Sequence, residues 1–88
     1  MKVAFSSRSW DDFRWHHGRN PKLFDRLLAL IEDVRRSPFR GIGKPEPLRE
    51  EWSGWWSRRL DDEHRFVYRV AGKGAEQQLQ IAQCRYHY

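Results

Sequence analysis

The sequence contains one cysteine, one methionine and no apolar stretch long enough for a membrane span or a secretory signal. A single cysteine excludes an internal disulfide. Cys84 lies in an apolar run, which suits a buried thiol in a reducing compartment. The four histidines do not supply zinc-ligand spacing: His16 and His17 are adjacent, and His64 and His87 are far off. No metal or other cofactor is expected. Eighty-eight residues leave room for one small domain, 1–88, with a modest core. The expected location is the cytoplasm, with no membrane contact. Help with stability is expected from a partner or a second copy.

What the chain has is charge and aromatic surface. Lysine and arginine number 17 against 12 acidic residues, a net charge of +5. The excess is uneven: up to Asp33 the basic and acidic residues number 6 and 5, and from Val34 onward 11 and 7. Most of the later cations are arginines, whose planar fork matches phosphate. Five tryptophans, five phenylalanines and three tyrosines add faces on which unpaired bases could stack. Charge alone tilts only mildly toward nucleic acid, because aromatics also fill cores and arginines also confer solubility.

The pattern along the chain predicts a first strand over Lys2–Phe5. Ser6, Ser7 and Ser9 offer caps for a first helix, with Asp11 and Asp12 near its positive end and Trp10, Phe13 and His17 on one face. Asn20-Pro21 restarts a second helix. Phe24, Leu27, Leu28, Ile31 and Val34 give it an apolar stripe, and Pro38 stops it. From Phe39 to Leu48, glycines and prolines predict an irregular loop, with Glu46 stiffened between two prolines. Strands are predicted from Trp55 to Leu60, Arg65 to Val70 and Leu79 to Arg85, the first two around the turn Asp61–His64. This order predicts an α+β fold: two N-terminal helices packed on one face of a mostly antiparallel β-sheet.

Such a sheet leaves its second face free. Arg59, Arg65 and Arg85 fall there if their alternation is in phase, His87 shares parity with Arg85, and Glu46 approaches from the loop. A final strand running toward the last residues would pin Arg85-Tyr86-His87-Tyr88 to the sheet. One carboxylate, one imidazole and several guanidiniums suit RNA cleavage by the ribose 2′-hydroxyl. That reaction needs a base, an acid for the departing 5′-oxygen, and cations for the transition-state charge. Taken singly, each residue has a plainer reading. Glu46 reads as a solvated loop carboxylate, and Arg65 as the surface partner of Asp61 or Glu63. His64 reads as exposed beside its turn, and His16 and His17 as helix surface. The residues alone reach a small basic α+β domain that binds RNA or cleaves it.

At these same positions the sequence resembles the YoeB branch of the RelE-type toxins of bacterial toxin–antitoxin pairs. The stretches that carry the resemblance are Ser9-Trp10-Asp11-Asp12, Arg35-Arg36-Ser37-Pro38-Phe39, Gly43-Lys44-Pro45-Glu46-Pro47-Leu48, Trp56-Ser57-Arg58-Arg59, Glu63-His64-Arg65 and Cys84-Arg85-Tyr86-His87-Tyr88. The resemblance implies an endoribonuclease that cleaves messenger RNA in the ribosomal A site without metal. It assigns the base to Glu46, the acid to His87 and the phosphate-stabilising cation to Arg65. Lys44, Arg59 and Tyr88 match further site positions, and Arg49 and Arg85 add phosphate-binding charge. It also implies a homodimer, a YefM-type antitoxin, and contact with operator DNA only through the antitoxin complex. The alternative is a non-catalytic translation inhibitor that binds RNA or the ribosome. Arg49 replaces a lysine common in the family, Trp52 and Trp55 replace smaller or phenylalanine residues, and the polar loop Ala71–Gln78 is longer than usual.

Overall fold

The computed structural model describes residues 1–88. Strand β1 spans Lys2–Phe5, helix α1 Ser7–His16 and helix α2 Pro21–Arg36. Strands β2 (Glu46–Pro47), β3 (Trp56–Arg59), β4 (Arg65–Ala71) and β5 (Gln78–Gln83) follow. The sheet order is β1-β5-β4-β3-β2, antiparallel except for β1, which runs parallel to β5. The α+β expectation holds. Glu46, expected in a loop, instead forms a two-residue edge strand with Pro47, paired to Ser57 and Trp56 of β3. An edge position tolerates Pro47, which has no N–H to give.

Both helices begin as the sequence predicts. The Ser6 hydroxyl accepts the Ser9 N–H at 3.1 Å, and the Asn20 side chain accepts the Leu23 N–H at 3.2 Å ahead of Pro21. Helix α2 buries Leu27, Leu30, Ile31 and Val34 in a core completed by Leu60, Phe66, Tyr68, Leu79, Ile81 and Cys84. Leu28, placed in the stripe by sequence, is 42% exposed, and Leu30 takes the core position.

Helix α1 departs further from its expected face. Trp10, Phe13 and His17 form a half-covered aromatic ladder with Phe5 and Phe24, but the buried residues are Ser9, Asp12 and His16. The reason lies in the backbone of Cys84. Its N–H donates to Asp12 Oδ2 at 3.0 Å, and its carbonyl meets His16 Nε2 at 2.7 Å. The polar side of α1 thus completes backbone hydrogen bonding where β5 ends, because buried peptide groups must be paired. His16 is therefore not helix surface. Asp12 likewise serves this peptide and not the helix dipole.

Strand β5 carries a bulge. Tyr68 pairs with Ile81 but Val67 pairs with Gln83, so Ala82 is an extra residue. The bulge turns both Ile81 and Cys84 to the core and Gln83 to the opposite face. The strand ends at Gln83, short of the predicted Arg85.

Candidate functional site

Cross-strand register places Glu46, Ser57, Val67 and Gln83 in one row across β2, β3, β4 and β5. Arg59 and Arg65 pair directly two residues along, on the same face. This face is not the open plane expected from sequence. Ser57, Val67, Arg65 and Gln83 are all buried, and only Glu46 and Arg59 of these positions are exposed. Gln83 Nε2 is buried without a hydrogen-bond partner, a residue that sequence reasoning did not single out.

Arg65 does not pair with the side chain of Asp61 or Glu63. Its Nη1 donates to the carbonyls of Asp61 at 2.7 Å and His64 at 3.1 Å. The turn carbonyls fix the guanidinium, and Nε and Nη2 donate to no protein acceptor, which leaves them for an anionic ligand. Arg59 contributes an exposed charge beside it. Its backbone N–H donates to the Gly43 carbonyl at 2.6 Å, so the same strand also ties down the approach to Lys44. Lys44 is exposed, with a left-handed φ of 52° between Gly43 and Pro45.

The loop before Glu46 is held from inside by Arg58, which the sequence reading did not single out. Its guanidinium donates to the carbonyls of Ser37, Arg40 and Ile42 at 2.6, 3.0 and 3.1 Å, and to Asp33. Its Nε donates to the Tyr68 hydroxyl at 3.1 Å, which donates in turn to the Pro38 carbonyl at 2.6 Å. Gly41 is required here: its φ is 130°, and a Cβ would run into the Asp33 carboxylate.

Glu46, Pro47, Leu48, Arg49, Glu50, Glu51, Trp52 and Tyr88 line an open cleft of about 600 Å³. Here the structure brings together three of the predicted site residues, Glu46, Arg49 and Tyr88. Trp52 forms part of the wall, edge-on to Trp55 with ring centres 5.7 Å apart. The cleft offers three solvent-facing carboxylates (Glu46, Glu50 and Glu51), a guanidinium, a phenol and an indole.

Of the last four residues only Tyr88 lines the cleft, and the segment takes a different course from the one expected. No strand carries it. Tyr86 adopts a left-handed φ of 65°, its N–H donating to His64 Nδ1 at 2.8 Å and its carbonyl accepting from the Arg65 N–H at 3.1 Å. His64, expected to be exposed, is 3% exposed. His87 is exposed beside Tyr88. Arg85 does not continue the sheet face. Its guanidinium lies 3.7 Å over the Trp15 ring of α1 and donates to the Tyr86 hydroxyl at 2.6 Å. No group of three or more histidine, cysteine or acidic side chains is placed to hold a metal ion.

Residues 5–88 match the family model described as the YoeB-like toxin of bacterial type II toxin–antitoxin systems. The toxin YoeB of Synechocystis is 48% identical over the whole of this chain and 98% of its own length. A YoeB/ParE toxin structure from Agrobacterium tumefaciens superposes with a TM-score of 0.96 at 46% identity, covering all of both chains. The Staphylococcus aureus YoeB dimer and YoeB–YefM complex superpose with TM-scores of 0.87 at 32% and 34% identity, covering all of this chain and 98% of theirs.

Proposed function

Because the chain belongs to the YoeB-like toxins of type II toxin–antitoxin systems, we propose that it is an endoribonuclease that cleaves messenger RNA in the ribosomal A site. The observation that carries this reading is the cleft shared by Glu46 and Tyr88, beside the paired Arg59 and Arg65. A carboxylate on the rim of a cationic surface repels phosphate, so a pure RNA binder gains nothing from it. A nuclease gains a base.

In the proposed reaction Glu46 takes the proton of a ribose 2′-hydroxyl. The 2′-oxygen attacks the adjacent phosphorus, and the 5′-oxygen leaves with a proton supplied by His87. Arg65, with Nε and Nη2 unused, holds the phosphoryl oxygens as charge builds on them. Arg59, directly across from Arg65, and Lys44, next to the Gly43 carbonyl that accepts the Arg59 N–H, share that charge, and Arg49 and Arg85 widen the positive surface. Tyr88 orients the strand in the cleft. The products carry a 2′,3′-cyclic phosphate, or a 3′-phosphate after its hydrolysis, and a 5′-hydroxyl. No metal takes part. The solved relatives are described as a dimer and as a complex with YefM, and the same partners are proposed here: a second copy and an acidic YefM-type antitoxin. Operator DNA would be met only through that complex, and ribosome contact places the toxin in the cytoplasm.

The test is primer extension on a defined messenger RNA in reconstituted translation, with wild type, Glu46→Ala and His87→Ala, with and without ribosomes. Ribosome-dependent cuts at the A-site codon that vanish in both variants support the reading. Stalled translation over intact RNA in all three would replace it with a binding inhibitor.

A further inference from the structure

Resting on the function proposed above, we infer that His64 is a positioning residue that aims the segment carrying His87 and Tyr88 into the cleft. Its means is an unprotonated Nδ1 that accepts the Tyr86 N–H.

The backbone of Tyr86 is gripped at both ends by consecutive residues. Its N–H donates to His64 Nδ1 at 2.8 Å, and its carbonyl accepts from the Arg65 N–H at 3.1 Å. No strand holds the chain beyond Gln83, so these two bonds replace a sheet ladder. They hold Tyr86 at a φ of 65°, a conformation that a non-glycine residue keeps only where its surroundings over-determine it. The turn made there precedes Tyr88, which lines the cleft together with Glu46.

His64 is itself tied through its backbone and packed through its ring. The His64 N–H donates to Asp61 Oδ1 at 2.7 Å, and its carbonyl accepts from the Leu60 N–H at 3.1 Å. Its ring lies edge-on to His16 with centres 5.0 Å apart, and Trp15 covers it at 5.8 Å. His16 is locked in turn to the Cys84 carbonyl at 2.7 Å. Because Nδ1 accepts, the ring proton belongs on Nε2, which faces Glu63 Oε1 at 3.5 Å. Burial between a second imidazole, an indole and a turn leaves His64 only 3% exposed. Its place in the fold is to present one lone pair to one amide. Arg65 and His64 thus act from adjacent positions: one turns its guanidinium to the phosphate, and the other sets the segment that bears the acid.

Two substitutions separate the lone pair from the bulk of the ring. In His64→Asn the side-chain oxygen takes the place of Nδ1 and can accept the same amide. In His64→Phe the ring remains and the acceptor is lost. The experiment measures A-site cleavage for both variants and wild type, with the Tyr86 amide followed by ¹⁵N NMR hydrogen exchange and the thermal midpoint by circular dichroism. The expected result is a protected Tyr86 amide and near-wild-type cleavage in His64→Asn. In a folded His64→Phe, the amide exchanges freely and cleavage falls about 100-fold, the scale of an ångström-level misplacement. Equal losses in both variants, or a protected Tyr86 amide in His64→Phe, would overturn the inference. If His64→Phe does not fold, rescue or its failure in His64→Asn decides the matter. If wild type does not cut RNA at all, the nuclease reading fails while Tyr86 exchange still decides whether His64 holds the segment.

Discussion

Arg58 is wholly buried, and its Nη1 lies 2.5 Å from Oδ2 of Asp33, 25 residues away on α2. The same guanidinium collects three carbonyls of the segment that leads to Lys44 and Glu46. Arg58→Met would strand the Asp33 carboxylate and those carbonyls together. The expected loss is about 3–5 kcal/mol, the usual scale for breaking a buried pair from one side. Urea unfolding of wild type and variant checks it; an unchanged midpoint would mean that the loop is held by its prolines alone. Arg58→Lys should recover only part of the loss, since one ammonium cannot reach partners spread around a planar fork.

The core makes a sharper distinction than hydrophobicity does. Leu30 is fully buried and Leu28 is 42% exposed, although both are leucines on the same helix two positions apart. Leu30→Ala should cost about 2–5 kcal/mol, and Leu28→Ala should stay within about 0.5 kcal/mol. Thermal unfolding of the two variants side by side settles which face of α2 meets the sheet. Comparable destabilisation by both would place a partner surface over Leu28.

The elements that sequence made legible are those specified locally. Asn20-Pro21 capped a helix, Pro38 closed it, and alternation located β3 and β4 to within a residue or two. Specification through space was not legible. Nothing near Asp12 or His16 in the chain announces that both serve the backbone of Cys84. The bulge at Ala82 inverts the parity of everything after it, so alternation could not place Arg85 or His87. Arg58 carried no signal of its burial, because its partners come from α2, from the loop and from β4. For the candidate site, residue types pointed to Glu46, Arg59 and Arg65. The grip of His64 on Tyr86 depends on a left-handed turn at a tyrosine, for which residue type gives no signal.

Burial of His16 has a consequence for acid stability. Desolvation lowers its pKa below the ordinary 6.5, with the Cys84 carbonyl opposing that shift and His64 adding to it. The folded protein therefore keeps His16 neutral at a pH where the unfolded chain takes up a proton. Stability contributed this way is complete above pH 6.5 and declines as pH falls from there toward the folded value. Asp33 adds a second acid limb further down. The hydrogen bond from Arg58 lowers its pKa below 3.8, so its contribution is present above that value and is lost as pH falls below it. His16→Gln keeps an amide donor for the Cys84 carbonyl but cannot titrate. Urea midpoints taken across pH 5 to 7.5, a range set by ordinary histidine titration, should slope for wild type and flatten for the variant. Parallel slopes would assign the titration to another histidine.

Cys84 reports on the contact between α1 and the end of β5. Burial and the neighbouring Asp12 carboxylate push its thiol up to about 12, with Arg8 acting weakly the other way. The thiolate is the reactive form, so the native protein at pH 8 should react with maleimide far more slowly than a free cysteine, whose pKa is about 8.5. The thiol also packs against α1, with Sγ 3.7 Å from the Ser9 carbonyl. Modification must therefore await local opening of that helix. Asp12→Asn keeps a side-chain oxygen for the Cys84 N–H and removes the charge. It should change the labelling rate modestly if opening limits reaction, and in proportion to the thiolate fraction if ionisation does. Asp12→Ala removes the acceptor altogether, leaves the Cys84 N–H unpaired and should speed labelling strongly. Rapid labelling of the folded wild type would show that α1 does not seal the end of β5, and the His16 and Asp12 contacts with Cys84 would then be too short-lived to hold it.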